Sequence, residues 1–219
     1  MLLSHSDTIR WIQRYRDLIA DNVDELNKLD AAIGDGDFGA SMQRGLNAVV
    51  AVLGPGEPDS IGKLLHTVGT TLVSAMGGTS GPLVGTVFTK MARVVGDVDA
   101  VEASALVVAF RAAADGVGVL GGAERGDKTM LDSLLPAVEA MEAVVGGDHT
   151  LQAVLHSAAK AARTGAERTI ELHARKGRAS YVGSGGVGCI DPGATGIRYM
   201  FAALHDVVGE GIHYSEGTQ

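Results

Sequence analysis

Several residue types are scarce in this chain, and each shortage excludes a class of structure. Aromatic residues make up only 4% of the 219 residues, yet hydrophobic residues reach 46%, so a sizeable core is still possible. The single cysteine, Cys189, excludes an intrachain disulfide framework and is expected to be a reduced loop thiol. The sequence shows no signal peptide and no run of eighteen apolar residues, so we expect a soluble, cytoplasmic protein.

Positive charge is also scarce. The chain has 18 Lys and Arg residues against 26 Asp and Glu residues, which gives a formal net charge of −8 at pH 7. This excess argues against nucleic acid or an anionic membrane surface as a partner, because both would repel the protein. A phosphate-bearing ligand would then need metal ions between itself and the protein.

The sequence is rich in helical periodicity. Apolar residues recur at helical spacing in about eight stretches, and no alternating segment of strand length competes with them. We predict an all-α fold, a closed antiparallel bundle or barrel of about eight amphipathic helices, in one domain spanning residues 1–219. The first helix is expected to run from Ile12 through Leu26 and the seventh to about residue 174. Pro136 is expected to kink the sixth helix.

Four loops follow alternate helices in this prediction. Residues 30–39, 76–82, 121–130 and 177–193 come after helices one, three, five and seven. In an up-and-down arrangement, connections after alternate helices lie at the same end, so we expect the four loops to share one rim.

The first of these loops carries three carboxylates, Asp30, Asp35 and Asp37, among glycines. Three carboxylates brought together repel one another unless a cation lies between them, and glycine lets the backbone fold tightly around an ion. Ligands that are all oxygens favour magnesium, manganese or calcium over zinc. The alternative is that these aspartates only cap a helix and form Asx-turns.

The spacing of the loop excludes an EF-hand. If Asp35 is position one, position five is Gly39 and position twelve is Leu46, where an EF-hand requires oxygen ligands.

The second loop has the composition of a phosphate-binding turn. Residues 75–82 combine three glycines with the hydroxyls of Thr79 and Ser80, ahead of a helix N-terminus with Pro82. The Walker A pattern is absent, and an ordinary capped helix–helix turn is the alternative. At two other helix starts, Asp127 is expected to cap the sixth helix and Asp191 the eighth.

The third and fourth loops differ in what they predict. Residues 121–130 read on their own as a structural loop. In the fourth loop, Arg175 and Lys176 suit the end of a helix, whereas Arg178 lies beyond Gly177 and is better placed to reach phosphate oxygens. Residues 181–196, here called the flap, hold further glycines and are expected to close on a ligand.

The histidines show no metal-binding spacing, and His66 and His156 are interpreted as surface or packing residues. No Ser-His-Asp or Cys-His arrangement is indicated.

Together the motifs IGDGDFG with Asp30 upstream, GGTSGP, GDKTM, ARKGRASY and DPGAT resemble the L subunit of bacterial dihydroxyacetone kinases. The resemblance covers the whole chain and implies an eight-helix barrel with a nucleotide at one rim. It implies two magnesium ions on Asp30, Asp35 and Asp37, which hold ADP or ATP. The nucleotide contacts that it implies fall on Phe38, Gly39, Ala40, Ser41, Gly78, Thr79, Ser80, Gly121, Met130, Arg178, Asp191, Pro192 and Gly193.

Two features depart from that family. Phe38 stands where related subunits often have histidine, so only backbone contacts are expected from this position. The flap is also more glycine-rich than is usual in the family.

The resemblance further implies a role in phosphoryl transfer without a nucleophile in this chain, with Arg178 stabilising phosphate charge. Tightly bound ADP would be rephosphorylated in place by a phosphohistidine protein, the M subunit of the phosphotransferase system. The resulting ATP would phosphorylate dihydroxyacetone held covalently by a K subunit, and the chain is expected to form a homodimer.

Three alternatives stay open at this point. The chain could be the nucleotide-binding half of an ATP-dependent kinase for dihydroxyacetone or erythrulose, or an ADP-loaded regulatory module that transfers nothing. A fatty-acid-kinase-like domain is also conceivable, although such domains lie within longer chains.

Overall fold

The computed structural model describes residues 2–54, 58–147 and 150–215. This part of the chain is mostly helical, with almost no strand, and the all-α prediction is confirmed. The helices are α1 (His5–Asp21), α2 (Val23–Ala31), α3 (Phe38–Leu53), α4 (Ile61–Met76), α5 (Ser80–Val95), α6 (Ala103–Gly121), α7 (Leu131–Val145), α8 (Leu151–Arg168) and α9 (Pro192–Ser215). Two-residue strands β1 (Leu3–Ser4) and β2 (Ala100–Val101) pair antiparallel, with Leu3 opposite Val101.

The described residues thus form nine α-helices, against about eight predicted, because the expected first helix breaks at Asn22. Asn22 leaves helical geometry at φ −123° and ψ 21°, and its side-chain amide donates to the Leu18 carbonyl at 2.8 Å. An asparagine side chain competes in this way with the backbone for helix hydrogen bonds. The apolar spacing continues across the break, which is why periodicity alone did not reveal it.

Two other helix predictions also need correction. The expected seventh helix, now α8, ends at Arg168 and gives way to a 3-10 turn, Thr169–Glu171, well short of residue 174. Asp127 does not cap the next helix: its carboxylate accepts from the Glu124 N–H at 3.0 Å, and α7 begins only after Met130.

The predicted cap at Asp191 is confirmed, since its carboxylate accepts from the Ala194 N–H at 2.7 Å. Thr79 stands at the N-cap position of α5, and its side chain makes no capping bond.

Pro136 lies inside α7, which continues through it as one helix. Proline has no N–H, so the Asp132 carbonyl one turn earlier lacks its intrahelical donor. Gly165 of α8 packs directly against this oxygen, and a Cβ atom at Gly165 would lie only 2.1 Å from it. The two helices therefore approach closely at this point.

The helices form a closed ring in which α1 packs against both α3 and α9. Four of the aromatic residues meet in its centre, where Trp11 lies 5.6 Å from Phe88 and Phe110 lies 4.8 Å from Phe201 between ring centroids. Trp11 Nε1 also donates to the Met200 carbonyl at 2.9 Å, which ties α1 to α9. Although the chain has few aromatic residues, its core thus contains a cluster of them.

Helix α6 is, by length and a mean hydropathy of 1.6, apolar enough to cross a membrane. Its buried residues, among them Leu106, Phe110 and Val117, belong to the central core. In this structure α6 is a core helix.

Candidate functional site

The four loops predicted to share a rim do meet, around one cavity at one end of the helical ring. Thirteen of the predicted site residues line it: Asp30, Asp35, Asp37, Phe38, Ser41, Gly78, Thr79, Ser80, Met130, Arg178, Asp191, Pro192 and Gly193. Gly39, Ala40 and Gly121 do not. His66 and His156 are exposed outside the cavity, and the His156 ring lies tilted against that of His205 with 5.3 Å between ring centroids.

The three aspartates converge at the cavity. One carboxylate oxygen from each of Asp30, Asp35 and Asp37 lies within 4.8 Å of the others. Asp37 makes no capping bond to α3 although it occupies the N-cap position, so its carboxylate is not explained by a capping role. A set of oxygen ligands at this spacing fits magnesium, manganese or calcium.

Asp30 holds the loop in shape while presenting its carboxylate to the cavity. One of its oxygens accepts from the N–H groups of Asp37 and Phe38, at 2.9 and 3.2 Å. A Cβ atom at Gly34 would lie 2.2 Å from the other oxygen. Only glycine fits there, so the loop glycine is required by the closeness of the aspartate.

Most backbone donors at the start of α3 are already in use. Besides the two N–H groups bound by Asp30, the Ala40 N–H donates to the Asn27 side chain at 3.1 Å. The Ser41 N–H donates to the Asp37 carbonyl at 2.9 Å. Phe38 contributes its ring instead, which packs against Gly196.

Arg178, expected to be available for phosphate, is paired with one of the expected metal ligands. Its guanidinium lies 2.8 Å from the Asp35 carboxylate, and its side chain is 63% exposed. The pair neutralises one of the three carboxylates, and the exposure leaves Arg178 free to change partner.

The glycine loop between α4 and α5 is open to the cavity. Gly77 and Gly78 have φ of 74° and 59°, a region that disfavours side chains, and nothing lies within 4 Å of where their Cβ atoms would be. Arg44, which the sequence analysis did not single out, donates to the carbonyls of Ala75 and Met76 at 2.9 and 2.6 Å. It thereby fixes the end of α4 from which this loop departs.

The loop between α6 and α7 is organised by two buried aspartates. Asp132 accepts from the N–H groups of Gly126 and Thr129, at 2.6 and 2.8 Å, and Asp127 closes the turn through Glu124. Arg175 lies near Asp127 at 3.7 Å and is mostly exposed. The interpretation of Arg175 and Lys176 as charges at a helix end is wrong, because α8 already ends at Arg168. Lys176 lines the cavity, and Arg175 lies outside it.

The same loop carries Lys128, a cavity residue that sequence reasoning missed. The side chain is buried, and its ammonium donates to the carbonyls of Thr169 and Cys189. Burial lowers the pKa of Lys128, while the nearby charges of Asp191 and Asp132 act in the opposite direction. A lysine between polar residues is normally expected on the surface, so no local sequence pattern indicated that Lys128 is buried.

Asp191 closes the far side of the cavity. Burial raises the pKa of its carboxyl from 3.8 to about 7, against the opposing effects of the Ala194 N–H and Lys128. The negative charges of Asp132 and Asp30 raise it further. The negative potential that disfavours ionisation of Asp191 would also strengthen the binding of cations at this end of the ring.

The flap is folded onto the protein by backbone contacts. The Ala174 N–H donates to the Gly185 carbonyl at 2.8 Å, and the Gly188 N–H donates to the Ile170 carbonyl at 2.8 Å. Gly185, at φ 58°, lies so close to the His173 ring that a Cβ atom would be 2.4 Å from it. Its glycines therefore serve close packing as well as freedom of movement.

The sequence of this chain is similar to those of known kinases and kinase subunits. The chain is 39% identical over 204 residues to the ADP-binding subunit DhaL of the PEP-dependent dihydroxyacetone kinase of Escherichia coli (strain K12), covering 93% of this chain and 97% of that one. It is 36% identical over 195 residues to the L-erythrulose 1-kinase of Mycolicibacterium smegmatis, of which it spans only 34%.

The fold is also known from crystal structures. The dihydroxyacetone kinase of C. freundii matches with a TM-score of 0.72 and 27% identity, over 91% of this chain. This chain spans about a third of that protein, 34% of its length. A family model described as the DAK2 domain matches residues 32–206, which include Asp35 and Asp37, the glycine loop, Lys128, Arg178 and Asp191. The chain therefore belongs to the DAK2 domain family.

Proposed function

We propose that this protein is the nucleotide-binding subunit of a dihydroxyacetone kinase, and that it keeps Mg-ADP bound in the cavity at the rim. The observation that carries the proposal is the convergence of four loops on one cavity, which holds three clustered carboxylates together with the cations Lys128 and Arg178. The near full-length similarity to the E. coli ADP-binding subunit supports it. We further propose one domain, a cytoplasmic location and a homodimer.

The cavity residues divide by chemistry into three groups. Asp30, Asp35 and Asp37 would hold two magnesium ions, which neutralise phosphate oxygens that an acidic protein would otherwise repel. Thr79 and the start of α5 offer a hydroxyl and N–H donors for phosphate. The apolar side chains of the wall, Ile33, Phe38, Leu83 and Met130, provide a surface for an adenine ring.

The chain then contributes positioning and charge stabilisation, which are most of what phosphoryl transfer requires. In the proposed cycle, a phosphohistidine on the M subunit transfers its phosphoryl group to the terminal phosphate oxygen of bound ADP. The same group then passes to a hydroxyl of dihydroxyacetone on the K subunit, and ADP stays bound. Substrate specificity would reside in the K subunit.

Exposed apolar side chains beside the cavity support docking of a partner there. Tyr181 of the flap is 89% exposed and Val119 near the end of α6 is 86% exposed. Gly121, two residues after Val119, packs against Leu83 of the cavity wall, so this surface borders the site.

A single-turnover experiment tests the proposal. The protein is loaded with radiolabelled ADP and mixed with a K subunit and dihydroxyacetone. Phosphoenolpyruvate and the carrier proteins are added in one sample, and unlabelled ATP in the other. Product formation with phosphoenolpyruvate while the label stays on the protein is the expected result.

The second candidate is an ATP-dependent ketose kinase, favoured by the 36% identity to an L-erythrulose 1-kinase. In that case only the ATP sample forms product, and the labelled ADP is released from the protein in exchange for unlabelled ATP. Absence of transfer in both samples, with ADP still bound, would instead indicate a regulatory module.

A further inference from the structure

Lys128 is unusual both in burial and in backbone conformation. Its side chain is 1% exposed, and among the described residues no charged side chain is more deeply buried. Its φ of 62° is the one positive φ outside glycine in the described part of the chain. A residue with a β-carbon is strained in this region, so the surrounding contacts must hold it there.

The ammonium joins two separate segments of the chain. It donates to the carbonyls of Thr169, at the end of α8, and Cys189, in the flap, both at 2.5 Å. Hydrogen bonds from a charged donor are stronger than those between neutral groups. Lys128 is therefore an internal clamp between the helix end and the flap.

Both segments lead to Asp191. The Thr169 hydroxyl accepts from the Asp191 N–H at 2.8 Å, and Cys189 lies two residues before Asp191. The clamp thus fixes Asp191 from two sides. Asp191 in turn caps α9, whose first residues Pro192 and Gly193 form part of the cavity wall.

The flap also packs on the aliphatic stem of Lys128. A Cβ atom at Gly186 would lie 3.1 Å from Lys128 Cε and 2.8 Å from Ile33 Cγ2. With a φ of 68°, Gly186 fits where another residue would push the flap away. The stem and the ammonium therefore act on the same segment.

We propose that Lys128 is a positioning residue for the nucleotide site, which holds the flap and the start of α9 in place so that bound nucleotide leaves slowly. This inference rests on the proposed nucleotide-binding function. It assigns to the buried lysine control of nucleotide release, distinct from the phosphate contact expected of Arg178. A merely structural lysine would affect unfolding without affecting release from the folded protein.

The release rate of a fluorescent ADP analogue, N-methylanthraniloyl-ADP with Mg²⁺, measures this directly when excess ADP displaces it. Lys128→Met keeps the length of the side chain and removes the charged donor, and should speed release about ten- to a hundredfold, as expected for loss of charge-assisted bonds. Lys128→Arg should recover part of the slow release. Lys160→Met, which removes a lysine charge from the exposed face of α8, should release the analogue at the wild-type rate.

Two further variants keep the test decisive if Lys128→Met does not fold. Lys128→Gly removes the ammonium and also relieves the positive-φ strain, so it should fold yet still release faster. Gly186→Ala keeps the ammonium but displaces the flap, with the same expected effect. An unchanged release rate in folded Lys128 variants would overturn the inference alone, whereas failure of the wild-type protein to bind the analogue would overturn it together with the proposed function.

Discussion

At the residue scale, Asp30 differs from the other two carboxylates of its cluster. It is buried and accepts from the N–H groups of Asp37 and Phe38, whereas Asp35 and Asp37 are exposed. Removing Asp30 would therefore disturb both the loop and any bound ion. Asp35 and Asp37 offer the cleaner test of the metal site.

We expect Asp35→Asn and Asp37→Asn each to weaken Mg-ADP binding by at least about a hundredfold, because each removes a charged ligand while keeping the side-chain shape. The helix content should stay the same, since Asp30 makes the side-chain bonds to the start of α3. Calorimetry measures the affinity and circular dichroism the helicity. Unchanged affinity in both variants would exclude the metal assignment.

Replacing Arg178 is expected to change nucleotide affinity and metal affinity in opposite directions, because Arg178 is paired with Asp35 in this structure. Arg178→Ala should weaken nucleotide binding about ten- to a hundredfold through loss of a charge-assisted contact. Without nucleotide, the same variant should bind Mn²⁺ more tightly, since the competing cation is gone. Titration by electron paramagnetic resonance measures free Mn²⁺.

Arg175→Ala serves as the matched control for Arg178, because Arg175 is equally exposed but faces Asp127. It should change neither affinity by more than about twofold, because the Arg175 side chain is mostly exposed and lies outside the cavity wall. A larger effect at Arg175 than at Arg178 would contradict the assignment of the phosphate cation.

The raised pKa of Asp191 predicts a pH dependence of stability. Its carboxyl binds its proton more tightly in the folded state, so its contribution is complete below the unfolded value near 3.8 and is lost as pH rises through about 7. Asp191→Asn keeps the capping acceptor without the charge. Urea unfolding of the metal-free protein should show the variant gaining stability over wild type, by up to a few kcal/mol, between pH 4 and pH 8. If the stabilities of the variant and the wild type changed in parallel with pH, the pKa of Asp191 would not be raised in the folded protein.

At the scale of the elements, α7 and α8 approach closely where Gly165 packs against the Asp132 carbonyl, one turn before Pro136. Gly165→Ala should destabilise the protein by roughly 1–3 kcal/mol although alanine favours helix, because a Cβ atom would meet the Asp132 carbonyl at 2.1 Å. Gly209→Ala in α9 is the control, since its Cβ would lie 3.6 Å from the nearest atom. Chemical unfolding should show Gly209→Ala as neutral or stabilising by up to about 1 kcal/mol. Equal effects of the two substitutions would mean that α7 and α8 can separate at little cost.

Helix patterning was predictable because each helix buries one face, and the shared rim followed from alternate connections. The break at Asn22 could not be predicted, because it depends on a hydrogen bond from the Asn22 side chain to the Leu18 carbonyl. The apolar spacing continues across the break without a change. The role of Lys128 was also hidden, because its partners lie 41 and 61 residues away in sequence. The part of the site made by local motifs could thus be predicted, and the part made by long-range hydrogen bonds could not.

At the scale of the whole molecule, a ligand bound only to the folded state stabilises that state. The purified protein should therefore retain adenine nucleotide, and EDTA should lower its melting temperature by roughly 5–15 °C, given a few kcal/mol of linkage in a protein of this size. Differential scanning fluorimetry with and without EDTA, followed by excess Mg²⁺ and ADP, checks this. Melting that EDTA leaves unchanged, or rapid exchange of bound ADP in saturating magnesium, would count against a permanently bound nucleotide.

The closure of the ring by α1 and α9 has a consequence for how the protein is made. Trp11 and Tyr15 donate to the carbonyls of Met200 and Gly196, so the earliest helix cannot complete its contacts until the latest one has left the ribosome. Contacts this distant in sequence slow folding and leave apolar surface exposed in the meantime. Because the start of α9 also forms the cavity wall, a growing chain has no complete cavity. Capture of the proposed nucleotide must therefore be among the last events in the maturation of the protein.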